Sequence, residues 1–197
     1  MVKRSTKLID LVWKYLSEFW VLKRSEMINL SIVTSARLIM FPATGNLFPS
    51  HVENYIRSSS STTLTYYNTN DENIVTSIRT ETYISVEDIF QNFIDCCYDI
   101  DKLIEYFKVV LLHELGHIKY AMNNDIGKSC DYLKEEFDEA SKPSRPYPNK
   151  PRRNASIESR MDFIRWLHED FPSEVRANEN AGLSIDDILR VEKYLLE

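Results

Sequence analysis

Residues 5–24 place Leu8, Leu11, Val12, Tyr15, Leu16, Phe19 and Leu22 at helical spacing, with charged side chains between them. That stripe predicts an amphipathic helix with one face buried in a core. A membrane-surface or partner-binding helix is the alternative. The pattern changes over residues 27–41, where Ile28, Leu30, Ile32, Val33, Leu38 and Ile39 are apolar and often β-branched. One or two strands are predicted there. Residues 42–49 read as a loop bounded by prolines, and 58–61 as a polar serine connector. Residues 62–67 and 74–84 read as two strands around the turn-forming run Asn68-Thr69-Asn70-Asp71. The second of them is long and Thr-rich, which makes it a candidate sheet edge.

Helical signals follow. Ser85 is a candidate N-cap with Glu87 and Asp88 in the first turn, and the helix it opens extends to about Cys97. Another runs from near Asp99 to about Asn123, with Leu103, Phe107, Val110, Leu111, Leu115 and Ile118 on its buried face. Charge then replaces periodicity. Asp131, Glu135, Glu136, Asp138 and Glu139 form an acidic stretch, and residues 142–153 are basic and contain Pro143, Pro146, Pro148 and Pro151. Prolines at that density forbid helix and favour extended, mobile chain. Residues 124–155 therefore read as a surface insertion within a single domain spanning 1–197. A lid, or a docking strip for an acidic partner at 142–153, is the functional alternative. Helix resumes from Ser156 to about Asp170. Pro172 suits the first turn of a helix over 173–181, Gly182 its C-terminal cap, and Ser184 the N-cap of a last helix. The expected class is α+β: a small mixed or antiparallel sheet packed on one long helix, with a mainly helical C-terminal half.

Composition narrows the function. The chain has 197 residues, of which 43% are hydrophobic, enough for one domain with a real core. A net charge of -6 gives no general footprint for nucleic acid, so that class of partner is disfavoured. The cysteines, Cys96, Cys97 and Cys130, are odd in number and lack C-x-x-C spacing, which suits reduced thiols in the cytoplasm. The opening Met1-Val2-Lys3-Arg4 resembles the start of a signal peptide, but Asp10, Lys14, Glu18 and Lys23 interrupt the apolar region that should follow. No apolar run reaches the length of a membrane span. A cytoplasmic protein without a membrane partner is expected.

The chemistry is concentrated in His113-Glu114-Leu115-Gly116-His117, which holds two of the four histidines. Positions four apart on a helix lie on one face, so both imidazoles can reach one metal ion. Glu114 sits beside them, where it can take a proton from a metal-bound water. Gly116 weakens a helix unless something needs to come close, and the sheet or a substrate is the expected neighbour. Catalytic zinc usually takes three protein ligands and leaves one position open. The extended motif with a third histidine fails, because Tyr120 and Asn123 stand where it needs glycine and histidine. The remaining ligand must come from elsewhere.

Downstream, Glu174, Ala177, Asn178 and Ala181 resemble the E-x-x-A-[D/N]-x-x-A pattern that accompanies H-E-x-x-H in gluzincin-type peptidases, and the two motifs together are most similar to the ImmA/IrrE group. The resemblance covers about a fifth of the chain. It implies a zincin-like fold and Zn2+ bound by His113, His117 and Glu174. It also implies that Ala177 packs on the motif helix and that Asn178 supports a ligand histidine through a hydrogen bond. The implied activity is hydrolysis of a peptide bond in a protein or peptide substrate, with Glu114 as the base. Arg176 departs from the family pattern, where an acid is common. The separation of His117 from Glu174 is longer than usual, and the 124–155 insertion absorbs the excess. His168, Glu169, Asp170, Glu135 and Asp138 remain rival ligands. His168 can alternatively stabilise an oxyanion, as can Tyr132, Tyr147 or an arginine. The alternative to an enzyme is a metallopeptidase-like regulatory protein whose zinc is structural or conditionally active.

Overall fold

The computed structural model describes residues 2–41, 61–85, 99–146, 151 and 155–195. Helix α1 spans Val2–Met27 and turns Val12, Leu16 and Trp20 into the core. It continues into the region where strands were expected, and a single strand, β1 (Val33–Phe41), follows it. Strands β2 (Ser61–Thr69) and β3 (Val75–Ser85) form a hairpin. Its turn is held by Asn70, whose Oδ1 accepts from the backbone N–H of Glu72 and Ile74 at 3.1 and 2.9 Å. The residue at positive φ is Asn73, at 61°, a conformation asparagine tolerates better than most side chains. The loop at 42–49, most of the serine connector and the helix expected over 85–97 lie outside the described residues, apart from Ser61 and Ser85, which belong to β2 and β3.

The sheet order is β1-β3-β2, with β1 parallel and β2 antiparallel to β3. The long Thr-rich strand is therefore central rather than an edge, and β2 is bonded on one side alone among the described residues. Alternation along β3 does distinguish its faces. Ile78, Thr80, Thr82 and Ile84 are fully buried, while Arg79 and Glu81 take the opposite side. Period-two patterning says which face is inward and is silent on which strands stand beside it, so it could not place β3.

Helix α2 (Ile100–Asn124) is the axis of the fold. Asp99 caps its start by accepting from the N–H of Asp101 and Lys102. Leu103, Tyr106, Phe107, Leu111, Leu115 and Ile118 are buried along it. The acidic segment at the start of the expected insertion forms helix α3 (Cys130–Ala140), which buries Leu133 and Ala140 and exposes Glu135, Asp138 and Glu139. Helices α4 (Ile157–Asp170), α5 (Pro172–Ala181) and α6 (Ile185–Lys193) follow the expected punctuation. Ser156 caps α4. Pro172 opens α5, Gly182 closes it in the left-handed region at φ 71°, and Ser184 with Asp187 makes a capping box on α6. The architecture is α+β, with the sheet on one side of α2 and α4 to α6 on the other end of the chain. Among the described residues, no helix is long and apolar enough to cross a membrane.

Candidate metal centre

Two helices build the site. Helix α2 presents His113 and His117 one turn apart, and α5 presents Glu174 and Asn178 in the same way. The helices approach closely because only small residues lie between them. A Cβ at Gly116 would collide with the backbone carbonyl of Ala177 and stand 3.1 Å from Ala181 Cβ. The neighbour that requires Gly116 is thus α5, and neither the sheet nor a substrate. Ala177 is fully buried in that contact.

This approach brings three donors together. His113 Nε2 lies 3.2 Å from His117 Nε2 and 3.0 Å from Glu174 Oε2, and His117 Nε2 lies 3.8 Å from Glu174 Oε1. Tetrahedral zinc with bonds near 2.0–2.2 Å separates its ligand atoms by about 3.3–3.5 Å. The observed spacings bracket that value, and the donor set is the nitrogen and carboxylate mixture zinc takes. Among the described residues these three are the one group of potential ligands that converge within 4.8 Å. The side chains of His117 and Glu174 are 28% and 30% exposed, which leaves one side of the cluster open to solvent.

Asn178 sets the chemistry of one ligand. His113 Nδ1 donates to Asn178 Oδ1 at 2.7 Å, which keeps a proton on Nδ1 and turns Nε2 toward Glu174 and His117. The charges interlock as well. Burial works to raise the Glu174 carboxyl, but the His113 hydrogen bond and the neighbouring histidines overcome it and hold the group at about 2. Burial likewise opposes charge on His113, yet Glu174 and Glu114 carry it up to about 9. His117 is pushed down by burial and then by His113. One carboxylate thus stabilises a single positive charge among these rings. A divalent cation bound there would meet the same need, and a proton would compete with it.

Glu114 is buried on the sheet side of α2. Its Oε2 accepts a hydrogen bond of 2.6 Å from Thr63 Oγ1 on β2, and Thr63 Oγ1 lies 2.8 Å from Thr82 Oγ1 on β3. Nothing in the sequence reading singled out either threonine. The available signal was polar residues at inward-facing strand positions, and it was read as an exposed edge.

His168, from the last turn of α4, also reaches the cluster. Its Nδ1 is 3.9 Å from Glu174 Oε2 and 3.5 Å from Asn178 Nδ2, and its ring centroid is 5.2 Å from that of His113. Burial, reinforced by the charge on His113, lowers it to about 4, so it is neutral at neutral pH. The other rivals are elsewhere. Asp170 is engaged by Arg145 at 2.6 Å, Glu169 faces Arg165 at 3.8 Å, and Glu135 and Asp138 are exposed on α3. Tyr132 is exposed on α3, and Tyr147 lies outside the described residues. Arg176 turns away from the donors to pair with Glu136 at 3.1 Å and to cover the Tyr120 ring. Comparison of the chain with protein-family models, with curated proteins and with solved structures finds no match.

Proposed function

We propose that the protein is a zinc-dependent metallopeptidase of the gluzincin type with a zincin-like fold, resembling the ImmA/IrrE group. The observation that carries this reading is the convergence of His113, His117 and Glu174 from two helices, with Asn178 orienting the first ligand. Bound there, zinc would lower the pKa of a water and polarise a scissile carbonyl. His113, His117 and Glu174 would hold the ion, and the exposed sides of His117 and Glu174 leave the cluster accessible to solvent. Glu114 takes the proton of the attacking water and delivers it to the nitrogen of the leaving amine. Strand β2, bonded to β3 alone among the described residues, would offer the outer backbone edge of its later residues to an extended peptide. His168 is neutral and adjacent, and it serves as a hydrogen-bonding group for the carbonyl oxygen as negative charge develops there.

The test is Glu114→Gln. The variant retains one zinc per chain, and its cleavage of an unfolded protein substrate falls by about 100-fold or more. Full activity in that variant overturns the assignment of the base. Stoichiometric zinc in the His113→Ala/His117→Ala double variant overturns the metal site. Zinc-loaded wild-type protein that cleaves no substrate favours a regulatory protein with a structural ion.

A further inference from the structure

We propose that Thr63 is the positioning residue of the base, holding the Glu114 carboxylate in one orientation through a hydroxyl relay that begins at Thr82. The proposal rests on the reading of Glu114 as the proton acceptor. Its evidence is the geometry of the sheet face above α2.

The direction of the relay follows from counting protons. Thr63 has one hydroxyl hydrogen and lies 2.6 Å from Glu114 Oε2 and 2.8 Å from Thr82 Oγ1. An ionised carboxylate accepts and does not donate. Thr63 therefore gives its hydrogen to Glu114, and Thr82 gives its own to Thr63. Thr82 is fully buried and Thr63 half-buried, so the start of the relay is shielded from water. The pair is more than ordinary cross-strand threonine contact. Thr65 and Thr80 are partners in the same register two positions along, yet the buried Thr80 hydroxyl finds no hydrogen-bond partner. The relay exists where the carboxylate is.

A second contact keeps β2 aligned for this task. Tyr67, four residues along and on the same face as Thr63, donates to Asp125 Oδ2 at 2.8 Å just beyond the end of α2. Thr63 and Tyr67 are separated by about 13 Å of strand, and Glu114 and Asp125 by about 16 Å of helix. Strand and helix thus run side by side, with a hydroxyl-to-carboxylate bond at each end. With Thr63 holding Oε2, the proton of the water is assigned to Oε1. The O–H bond of water breaks, the Oε1–H bond forms, and the proton then passes to the leaving nitrogen. The strand that offers its edge to substrate is also the strand that aims the base.

Thr63→Val removes the hydroxyl at constant shape. Its kcat is expected to fall about 10- to 100-fold, the effect of one hydrogen bond to a charged group, with KM and zinc content unchanged. Thr63→Ser restores kcat to within about threefold, and Thr82→Val causes a smaller loss than Thr63→Val. The activity-independent readout is the side-chain χ1 rotamer of Glu114 in zinc-free protein, measured by three-bond couplings in NMR. A single rotamer is expected in wild type and in Thr63→Ser, and averaged rotamers in Thr63→Val. Unchanged kcat with a single rotamer in Thr63→Val overturns the proposal. A wild type that binds zinc without turning over refutes the peptidase reading, and the rotamer measurement still decides the role of Thr63. Should Thr63→Val not fold, the wild-type hydroxyl proton decides. Slow exchange and a cross-peak to the Glu114 side chain support the relay, and exchange as fast as a solvated hydroxyl overturns it.

Discussion

On its α5 side, helix α2 comes closest to its neighbour at Gly116, where the Ala177 carbonyl and the Ala181 methyl group lie against it. On its β2 side it meets hydroxyls, Thr63 on Glu114 and Tyr67 on Asp125. The first contact has no freedom, because two backbones cannot yield independently. The second is directional and fixes a carboxylate through single hydrogen bonds. The spacing of the candidate ligands His113, His117 and Glu174 depends on the apolar contact, whereas the orientation of Glu114 depends on the polar one. Metal binding and proton transfer should therefore be separable by mutation.

Gly116→Ala attacks the apolar side and should have the largest effect. Relieving the collision with the Ala177 carbonyl requires α2 and α5 to move apart, at a cost of at least about 3 kcal/mol. Loss of stability in urea denaturation and loss of stoichiometric zinc are expected together. A variant that keeps both would refute the idea that this contact sets the ligand spacing. Asn178→Ala is subtler. It removes the acceptor for His113 Nδ1 and leaves the Thr63 bond to Glu114 untouched. Zinc affinity should drop about 10- to 100-fold in chelator competition, while kcat at saturating zinc stays near wild type. A fall in kcat without a change in affinity would merge the two sides of the comparison.

The smallest effect belongs to a third attachment. Glu136 on α3 accepts from Tyr120 of α2 at 2.8 Å, from Arg176 of α5 at 3.1 Å and from Lys128 at 2.9 Å. The Lys128 hydrogen bond, followed by that of Tyr120, holds this carboxyl below its ordinary value. A depressed folded-state pKa means stability that is present above the ordinary glutamate range and is lost as pH falls through the lowered value. Glu136→Gln should cost up to about 1 kcal/mol at neutral pH. Its difference from wild type should shrink as acid protonates Glu136 in the wild type. Urea titrations of zinc-free protein at neutral and acidic pH measure this, and at neutral pH the variant and the wild type should take up the same amount of zinc. A pH-independent difference would mean that packing, and not charge, ties α3 to the site.

Local chemistry made much of this protein legible from its residues. His113 and His117 share a face because a helix repeats every 3.6 residues, and Glu174 and Asn178 share one for the same reason. Pro172, Gly182 and Ser184 mark helix boundaries through constraints that act within a few residues. What could not be read was which faces meet. The partner of Gly116 is a helix distant in the chain, β3 lies between two strands rather than at an edge, and the acidic run at 131–139 is helix α3 tied through Glu136 to α2 and α5. Thr63 shows the limit most sharply. In sequence it is one threonine in a strand, and it touches Glu114 only because sheet register and helix docking together place a hydroxyl at 2.6 Å. Sequence by itself determined most of the elements, though not helix α3, and the candidate ligands, since these depend on periodicity and on the intrinsic chemistry of each residue. Tertiary structure alone decided the spacing of the His113, His117 and Glu174 donors and the orientation of Glu114, because both arise from close packing between segments whose separation in the chain carries no information about their distance in space.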